Sequence, residues 1–400
     1  MNGSKHKESP ASVPSPVKKL VVSNIVLLGL VSFFTDVGTE MVYPILPLYL
    51  TSVLGASPAI IGVIEGIAES LASIMKLFSG MIADKYNHKK QLAFWGYLAS
   101  FFNKFIILFS GTWGGVLLAR IVDRFGKGIR TAPRDALVAE SAQANKLGKA
   151  YGLHKAFDML GASVGILLAF LLMTHSGTSG FRQIFIVSMI PALIGPMLIW
   201  FVKSEPQSAA PVRLNFHWKA LDKRLKRFLL IILIFTLGNS SNAFILLRAA
   251  HAGFSSNEAI LLYFVFNLVA SLLSYPLGKW ADRIGRKYTL PLGYLLYGVV
   301  YIGIGLLQSR TSFWILFAIY GVYSALTVGG ERALIVEMAP AALKSSALGL
   351  HSAMVGIGLL PASVIAGFLW NTVGQAAPFL FGGVLAVFAS AAVFVVLSKK

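Results

Sequence analysis

The sequence predicts an all-α integral membrane protein, with twelve transmembrane helices arranged as two six-helix bundles related by parallel duplication about a pseudo-two-fold axis. Three observations carry that expectation. The 400-residue chain is 56% hydrophobic and only 13% charged, and many windows reach the roughly 20 apolar residues that cross a bilayer. The cations behind a formal net charge of +19 lie in short loops between apolar runs, which is how a multi-pass protein is oriented and not how a nucleic-acid surface is built. Two distant stretches also read alike: Gly80-Met-Ile-Ala-Asp84-Lys85, followed by Lys89 and Lys90, and Gly278-Lys-Trp-Ala-Asp282-Arg283-Ile-Gly285-Arg286-Lys287. Each joins two apolar runs through a Gly, an acid and a basic cluster, as a tight hairpin between two membrane helices would. The glycine allows close backbone approach, the Asp can sit at a helix N-terminus, and the cations face an anionic leaflet.

Taken in order, the apolar runs place spans at about 20–50, 57–83, 91–110, 113–138, 148–174 and 181–203, then 226–249, 257–281, 288–308, 312–338, 345–371 and 376–397. Residues 1–18 are Ser/Pro/Lys-rich, with no apolar core and small-residue cleavage site beside them, and are expected to be a disordered cytoplasmic tail and not a cleaved signal. Residues 19–203 form a first bundle, 204–225 a polar, basic cytoplasmic linker, and 226–400 a second bundle. Lys18, Lys19, the Lys85–Lys90 cluster, Lys146, Lys149, the linker, Arg283–Lys287, Lys344, Lys399 and Lys400 all fall on one side. The opposite loops carry little beyond Arg182, Arg248 and Arg310. Both termini are therefore expected in the cytoplasm, with the chain in the cell (inner or plasma) membrane.

An internal repeat supports the division. Arg134-Asp135-Ala-Leu-Val-Ala-Glu140 matches Glu331-Arg332-Ala-Leu-Ile-Val-Glu337, and at the same offset Gly152-Leu-His154 meets Gly349-Leu-His351 and Gly161 meets Gly358. With these residues in view, the chain resembles the major facilitator superfamily over nearly its whole length. The doubled Gly-x-x-x-Asp-Arg/Lys loop is similar to that family's signature between helices 2 and 3, repeated between helices 8 and 9. The first copy has Asn87 where the second has Gly285.

Three further stretches resemble the twelve-helix drug–proton antiporter branch. Val37-Gly38 with Pro44-Ile-Leu-Pro47 is similar to its helix-1 motif, and prolines there would bend the helix and free carbonyls toward a cavity. In the fourth span Arg120, Asp123, Arg124, Gly126, Lys127, Gly128 and Arg130 resemble an Arg-x-x-x-Gly motif implicated in proton coupling. Arg124 with Gly128 and Arg120 are competing alignments. Gly152, Gly161 and Gly165 reproduce part of the helix-5 motif, without the Pro and Gly that should follow; plain helix packing would use the same small residues.

Charges inside an apolar span cost several kcal/mol facing lipid, so they face the bundle interior, pair, or reach the interface; Arg130 and Arg134 are expected to reach it. Asp36 and Glu40 share a helical face, as do Glu65 and Glu69, and His154 and Asp158. A buried acid poised near cations can take up and surrender a proton, the chemistry an antiporter needs. Asp36, Glu40, Glu65, Glu69, Arg120, Arg124 and Asp158 are therefore the candidate proton-coupling and cavity residues. Ion pairing of Asp36 and Glu40 with Arg120 or Arg124 is the structural alternative, and wetting from the external side is that for Glu65 and Glu69. His154 and His351 are assigned a structural or gating role. Gly80, Asp84, Lys85, Gly278, Asp282, Arg283, Gly285 and Arg286 are expected to brace a gate through helix ends and cross-bundle pairs. In the second half, Asn239, Asn242, Tyr263, Asn267, Tyr297, Tyr301 and Tyr320 offer stacking and hydrogen-bonding surface.

No phosphate-binding loop, nucleophile–His–acid arrangement or metal-ligand spacing stands out, and cysteine is absent. The sequence therefore predicts no enzyme, no cofactor and no metal. It predicts a proton-coupled secondary transporter of small amphipathic or cationic compounds, exporting them by alternating access. A carrier of a defined metabolite (sugar, organic acid or siderophore) is the alternative. The expected partners are the small-molecule substrate, protons and the lipid bilayer, with the protein acting as a monomer.

Overall fold

The computed structural model describes residues 16–86, 88–141, 147–176, 180–203, 222–327, 330–339 and 344–398. Among these the chain is entirely helical. The first half holds α1 (Pro16–Val42), α2 (Leu46–Ser52), α3 (Pro58–Tyr86), α4 (Lys89–Phe109), α5 (Trp113–Glu140), α6 (Leu147–Ser176) and α7 (Gly180–Ile199). The second holds α8 (Lys223–Gly238), α9 (Asn242–His251), α10 (Ser256–Ile284), α11 (Arg286–Leu306), α12 (Arg310–Thr327), α13 (Gly330–Met338), α14 (Lys344–Thr372) and α15 (Ala377–Ser398). Two of the twelve spans are broken in two, as α1–α2 and α8–α9; between α12 and α13 lie residues 328–329, outside the described residues. Among the described residues, eleven stretches are long and apolar enough to cross a membrane. The remaining span is α5, which carries Arg120, Asp123, Arg124, Lys127 and Arg130 within its length.

The breaks have local causes. Pro44 lacks the N–H that a continuous helix needs, and the chain turns over Tyr43–Ile45 before α2 starts with Pro47 in its first turn. In the second half the run Gly238-Asn-Ser-Ser-Asn242 favours caps and turns, and Ser241 caps α9 by accepting a hydrogen bond from the Ala243 amide at 3.3 Å. The sequence reading treated 226–249 as one span; the interruption at Asn239–Ser241 falls almost at the repeat equivalent of the Tyr43–Ile45 turn.

Duplication is visible in the packing. α1 lies along α6 as α8 lies along α14, α3 along α5 as α10 along α12, and α4 along α7 as α11 along α15. The halves meet through α3 on α14 and α6 on α10, which are images of one another, and through α2 on α9. Small residues allow this closeness. A Cβ on Gly62 of α3 would stand 2.2 Å from the carbonyl oxygen of Ser363 on α14, and one on Gly161 of α6 would stand 2.5 Å from that of Phe33 on α1. The contacts with α1 made by Gly161 and Gly165 are helix packing. Along α10, Ala259, Ile260 and Leu262 are fully buried, whereas Leu272 and Tyr275 further along are 66% and 80% exposed.

The expected tail, residues 1–18, lies outside the described residues up to position 15, and the expected linker does so over 204–221. The hairpin acid is placed differently from expectation. Asp282 occupies the last turn of α10 and not a helix N-terminus. Gly285 makes the turn, at φ +98°, a backbone conformation that favours glycine, and α11 begins with Arg286.

Candidate functional site

A cavity of about 340 Å³ lies between the halves, where the breaks in the first and seventh spans face each other. Its first-half wall presents Glu40 and Tyr43 from the end of α1 and the turn after it, Glu69 from α3, and Arg124 and Lys127 from α5. Its second-half wall presents Asn239, Ser240, Ser241 and Asn242 at the α8–α9 break, with Tyr263, Phe266, Tyr320, Tyr323 and Ser324 from α10 and α12. One wall is therefore charged, and the other is aromatic, amide and hydroxyl.

The charged wall is ordered by α5, whose cations face inward. Arg120 lies 2.7 Å from Glu65, 3.8 Å from Glu69 and 4.0 Å from Asp123, and Arg124 lies 2.8 Å from Glu69. Both guanidinium groups stand over the Tyr43 ring, at 5.6 and 5.8 Å from its centroid. The arginines that the structural alternative would pair with Asp36 and Glu40 are thus taken by Glu65 and Glu69. Glu65 is 3% exposed, so the alternative of wetting from the external side does not hold for it: a buried carboxylate is tolerable there because Arg120 neutralises it. Ser241, from the other half, donates a second hydrogen bond to the same Glu65 oxygen at 3.1 Å.

Glu40 is different. Its Oε2 is buried and has no protein hydrogen-bond partner. Its electrostatic neighbours are Asp36 one turn below, then Lys127, Arg124 and Arg120. Among the described residues Lys127 has no ion pair within 4.0 Å, although it lines the cavity. Asp158 lies off the cavity, where Asp36 counts it among its electrostatic neighbours. His154 Nδ1 stands 3.5 Å from Asp158 Oδ1.

Behind α5 a second polar layer holds the helix in place. Ser100 donates to Asp123 at 2.9 Å and accepts from Arg130 at 2.7 Å, and Arg130 also bonds the Gly96 carbonyl and stands 4.6 Å from the Tyr97 ring centre. Arg130 was expected to reach the membrane interface. It is 4% exposed, because α4 supplies a carbonyl, a hydroxyl and a ring face that satisfy it internally. Arg134 does lie nearer the surface, paired with Asp135 at 2.7 Å.

On the neutral wall, Tyr320 donates to Asn242 at 2.9 Å, and Asn267 bonds the Tyr263 carbonyl. Tyr263 packs 5.7 Å from Tyr43 across the halves. Tyr297 and Tyr301 stand behind the wall, donating to the carbonyls of Gly238 and Ser240, and so shape the break instead of facing the cavity. Sequence reasoning missed Tyr43, Ser240, Ser241, Phe266, Tyr323 and Ser324. The Asn-Ser-Ser-Asn run that breaks the seventh span was the available signal for the serines.

Of the expected gate residues, the side chains of Asp84 and Lys85 and the surroundings of Gly80 lie outside the described residues; position 87 does also. In the second copy Asp282 pairs with Arg286 at 2.7 Å, and Arg286 also pairs with Glu337. These pairs lie within the second half and not between halves, a correction that follows from Asp282 sitting at the end of α10, one turn from Arg286. Arg283 makes no ion pair among the described residues, and Gly278 borders open space. His351 of α14 lies 3.2 Å from Glu331, which also accepts from Tyr294 at 2.8 Å. No cluster of three metal-ligating side chains occurs among the described residues.

Comparison with known proteins agrees with this architecture. The chain is 38% identical over 371 residues to an uncharacterized MFS-type transporter of Methanocaldococcus jannaschii, a match covering 91% of this chain and 92% of that one. It is 25% identical over 348 residues to the multidrug resistance protein MdtG of Salmonella arizonae, covering 82% and 83% of the two chains. Among solved structures, the nucleoside transporter NupG superposes with a TM-score of 0.77 at 14% identity, covering 94% of this chain and 99% of that one. A D-xylose–proton symporter superposes with a TM-score of 0.74 at 15% identity, covering 94% and 97%. The profile of the Major Facilitator Superfamily matches residues 28–247 and 228–400. The chain belongs to the major facilitator superfamily, as a multi-pass membrane protein that transports small molecules and not an enzyme.

Proposed function

We propose that this transporter exports small amphipathic or cationic compounds in exchange for protons, in the cell membrane with both termini cytoplasmic. The observation that carries the reading is Glu40. Its carboxylate has a buried, unpartnered oxygen and lines a cavity whose opposite wall is Tyr263, Phe266, Tyr320 and Tyr323. A lipophilic cation satisfies both walls, with charge on the acid and its body on the ring faces. Glu65 and Glu69 already have arginine partners; Glu40 and Asp36 are left to hold either a proton or the substrate's charge. That competition is antiport: a proton arriving on the pair removes the attraction for the cation, and the cation displaces the proton. Alternating access then follows from rocking residues 19–203 against 226–400 as two units joined by 204–225, in a monomer. The unpaired Lys127 on the same wall favours one second reading, a carrier of a defined metabolite with an anionic group. The resistance protein among the relatives supports the first reading.

The test uses proteoliposomes with a pH-sensitive dye inside and an imposed proton gradient, to which lipophilic cations and common metabolites are added singly. Proton flux opposite to several unrelated cations, lost in Asp36→Asn, supports the antiporter. Proton flux with a single metabolite class moves the protein to the second reading.

A further inference from the structure

We propose that the compound this cavity takes is a small zwitterion, with an ammonium group held by Glu40, a carboxylate held by Lys127 and an apolar or aromatic body against the rings of the opposite wall. The inference rests on the reading that Glu40 holds the substrate's positive charge. It adds the second charge, the residue that selects for it and the class of molecule that carries both.

Four residues lining the cavity carry charge: Glu40, Glu69, Arg124 and Lys127. Arg124 and Glu69 stand 2.8 Å apart and satisfy each other. One acid and one base are left. Glu40 Oε2 is buried without a protein partner. Among the described residues the Lys127 ammonium makes neither an ion pair nor a hydrogen bond. Unpaired charge inside a membrane protein is costly. A ligand with one charge satisfies one of these groups and leaves the other alone, whereas a ligand with both satisfies the wall completely.

The helices place the two groups at one height. The Arg124 guanidinium stands 5.8 Å from the centre of the Tyr43 ring, which fixes the level at which α5 passes the end of α1. Glu40 precedes Tyr43 by three residues, and Lys127 follows Arg124 by three. α1 belongs to the first span and α5 is the fourth, so the two helices cross the membrane in opposite directions. Both groups therefore lie roughly 4.5 Å from the Tyr43–Arg124 contact, and on the same side of it. Acid and base share a level on neighbouring helices without pairing. Lys127 also precedes both arginines among the cations acting on Glu40.

The rest of the cavity suits such a molecule. At about 340 Å³ it is near the small end of sites for organic ligands. Tyr263, Phe266, Tyr320 and Tyr323 offer ring faces and no charge. A molecule with only a positive charge is drawn to Glu40 but meets the Lys127 ammonium at the same height. A carboxylate on that molecule turns the repulsion into a charge-assisted hydrogen bond. Lys127 is the cation free to make it, because Arg124 is already committed to Glu69.

Equilibrium dialysis of the purified full-length protein in detergent, with radiolabelled probes, tests the assignment. Phenylalanine and para-aminomethylbenzoate are zwitterions of different charge spacing, and phenethylamine and benzylamine are the matching amines without the carboxylate. The better zwitterion is expected to bind at least about tenfold more tightly than its amine. Lys127→Gln is expected to abolish that margin and to make the amines bind about threefold more tightly, because a like charge has gone. Lys127→Arg is expected to keep the margin within about threefold. Zwitterions bound no more tightly than their amines overturn the inference. So does a Lys127→Gln variant that weakens amine and zwitterion alike, which is what a merely structural lysine would give. Amine binding undiminished in Glu40→Gln instead overturns the reading on which the inference rests.

Discussion

Arg120→Gln removes a cation that three acids share. Arg120 stands 2.7 Å from Glu65, 3.8 Å from Glu69 and 4.0 Å from Asp123. At an effective dielectric constant of about 20 these separations correspond to attractions of about 6, 4 and 4 kcal/mol before desolvation is counted. After Arg120→Gln, Glu69 keeps Arg124 at 2.8 Å, but Glu65 keeps only the Ser241 hydroxyl. Truncating one partner of a buried pair costs about 3–5 kcal/mol, and this variant belongs in that range. Glu65→Gln is milder, at about 1–2 kcal/mol, because Arg120 retains two acids and the new amide oxygen still accepts from Ser241. The double variant removes both charges, so it is expected to be more stable than Arg120→Gln alone, with a coupling energy of about 2 kcal/mol. Denaturation of the detergent-purified protein, followed through tryptophan fluorescence, measures the full cycle. Equal single costs that simply add would refute the reasoning, since a shared buried cation cannot give that result.

Outcomes at three other positions follow from the same geometry. Tyr320→Ala removes a ring face from the cavity and is expected to raise the half-saturating concentration of a lipophilic cation by about tenfold, measured as uptake into vesicles. Tyr320→Phe keeps the ring and loses the hydroxyl with its bond to Asn242, and is expected to change it about threefold. Gly62→Leu places side-chain atoms where α3 meets the Ser363 carbonyl, so transport and thermal stability should fall together; unchanged transport would mean that α3 and α14 do not need this approach. Arg248 is buried and bonds the Ile304 carbonyl at 3.1 Å and Gln375 at 3.3 Å, capping the end of α11. Arg248→Met is expected to cost about 1–3 kcal/mol in unfolding while leaving the half-saturating concentration unchanged, the signature of a structural cation.

The architecture was legible because a bilayer enforces simple rules: span length, loop charge and a repeated hairpin sufficed for twelve helices in two halves. The inward direction of the α5 charges was legible too, since lipid excludes them. Their pairing was not. Glu65 and Arg120 lie on different helices, and nothing in either local pattern says that α3, and not α1, meets α5 at that height. Arg130 misled for a related reason: its partners are a backbone carbonyl and a hydroxyl on α4, which carry no charge signal. The break at Asn239–Ser241 was written in its turn-forming residues, but the surrounding apolar run outweighed them. Asp282 was read as a helix start because acids favour that end, whereas the positive-φ Gly285 ends one helix and begins the next three residues later.

The central claim is that Glu40 and Asp36 hold either protons or the charge of the substrate. Its most direct test is proton release on binding, with no membrane and no gradient. Tetraphenylphosphonium is added to purified protein in weakly buffered detergent solution, and the change in pH is read with an indicator dye. The account predicts about one proton released per probe bound, falling to near zero in the Asp36→Asn, Glu40→Gln double variant. Binding without release in the wild type, or undiminished release from the double variant, would contradict it.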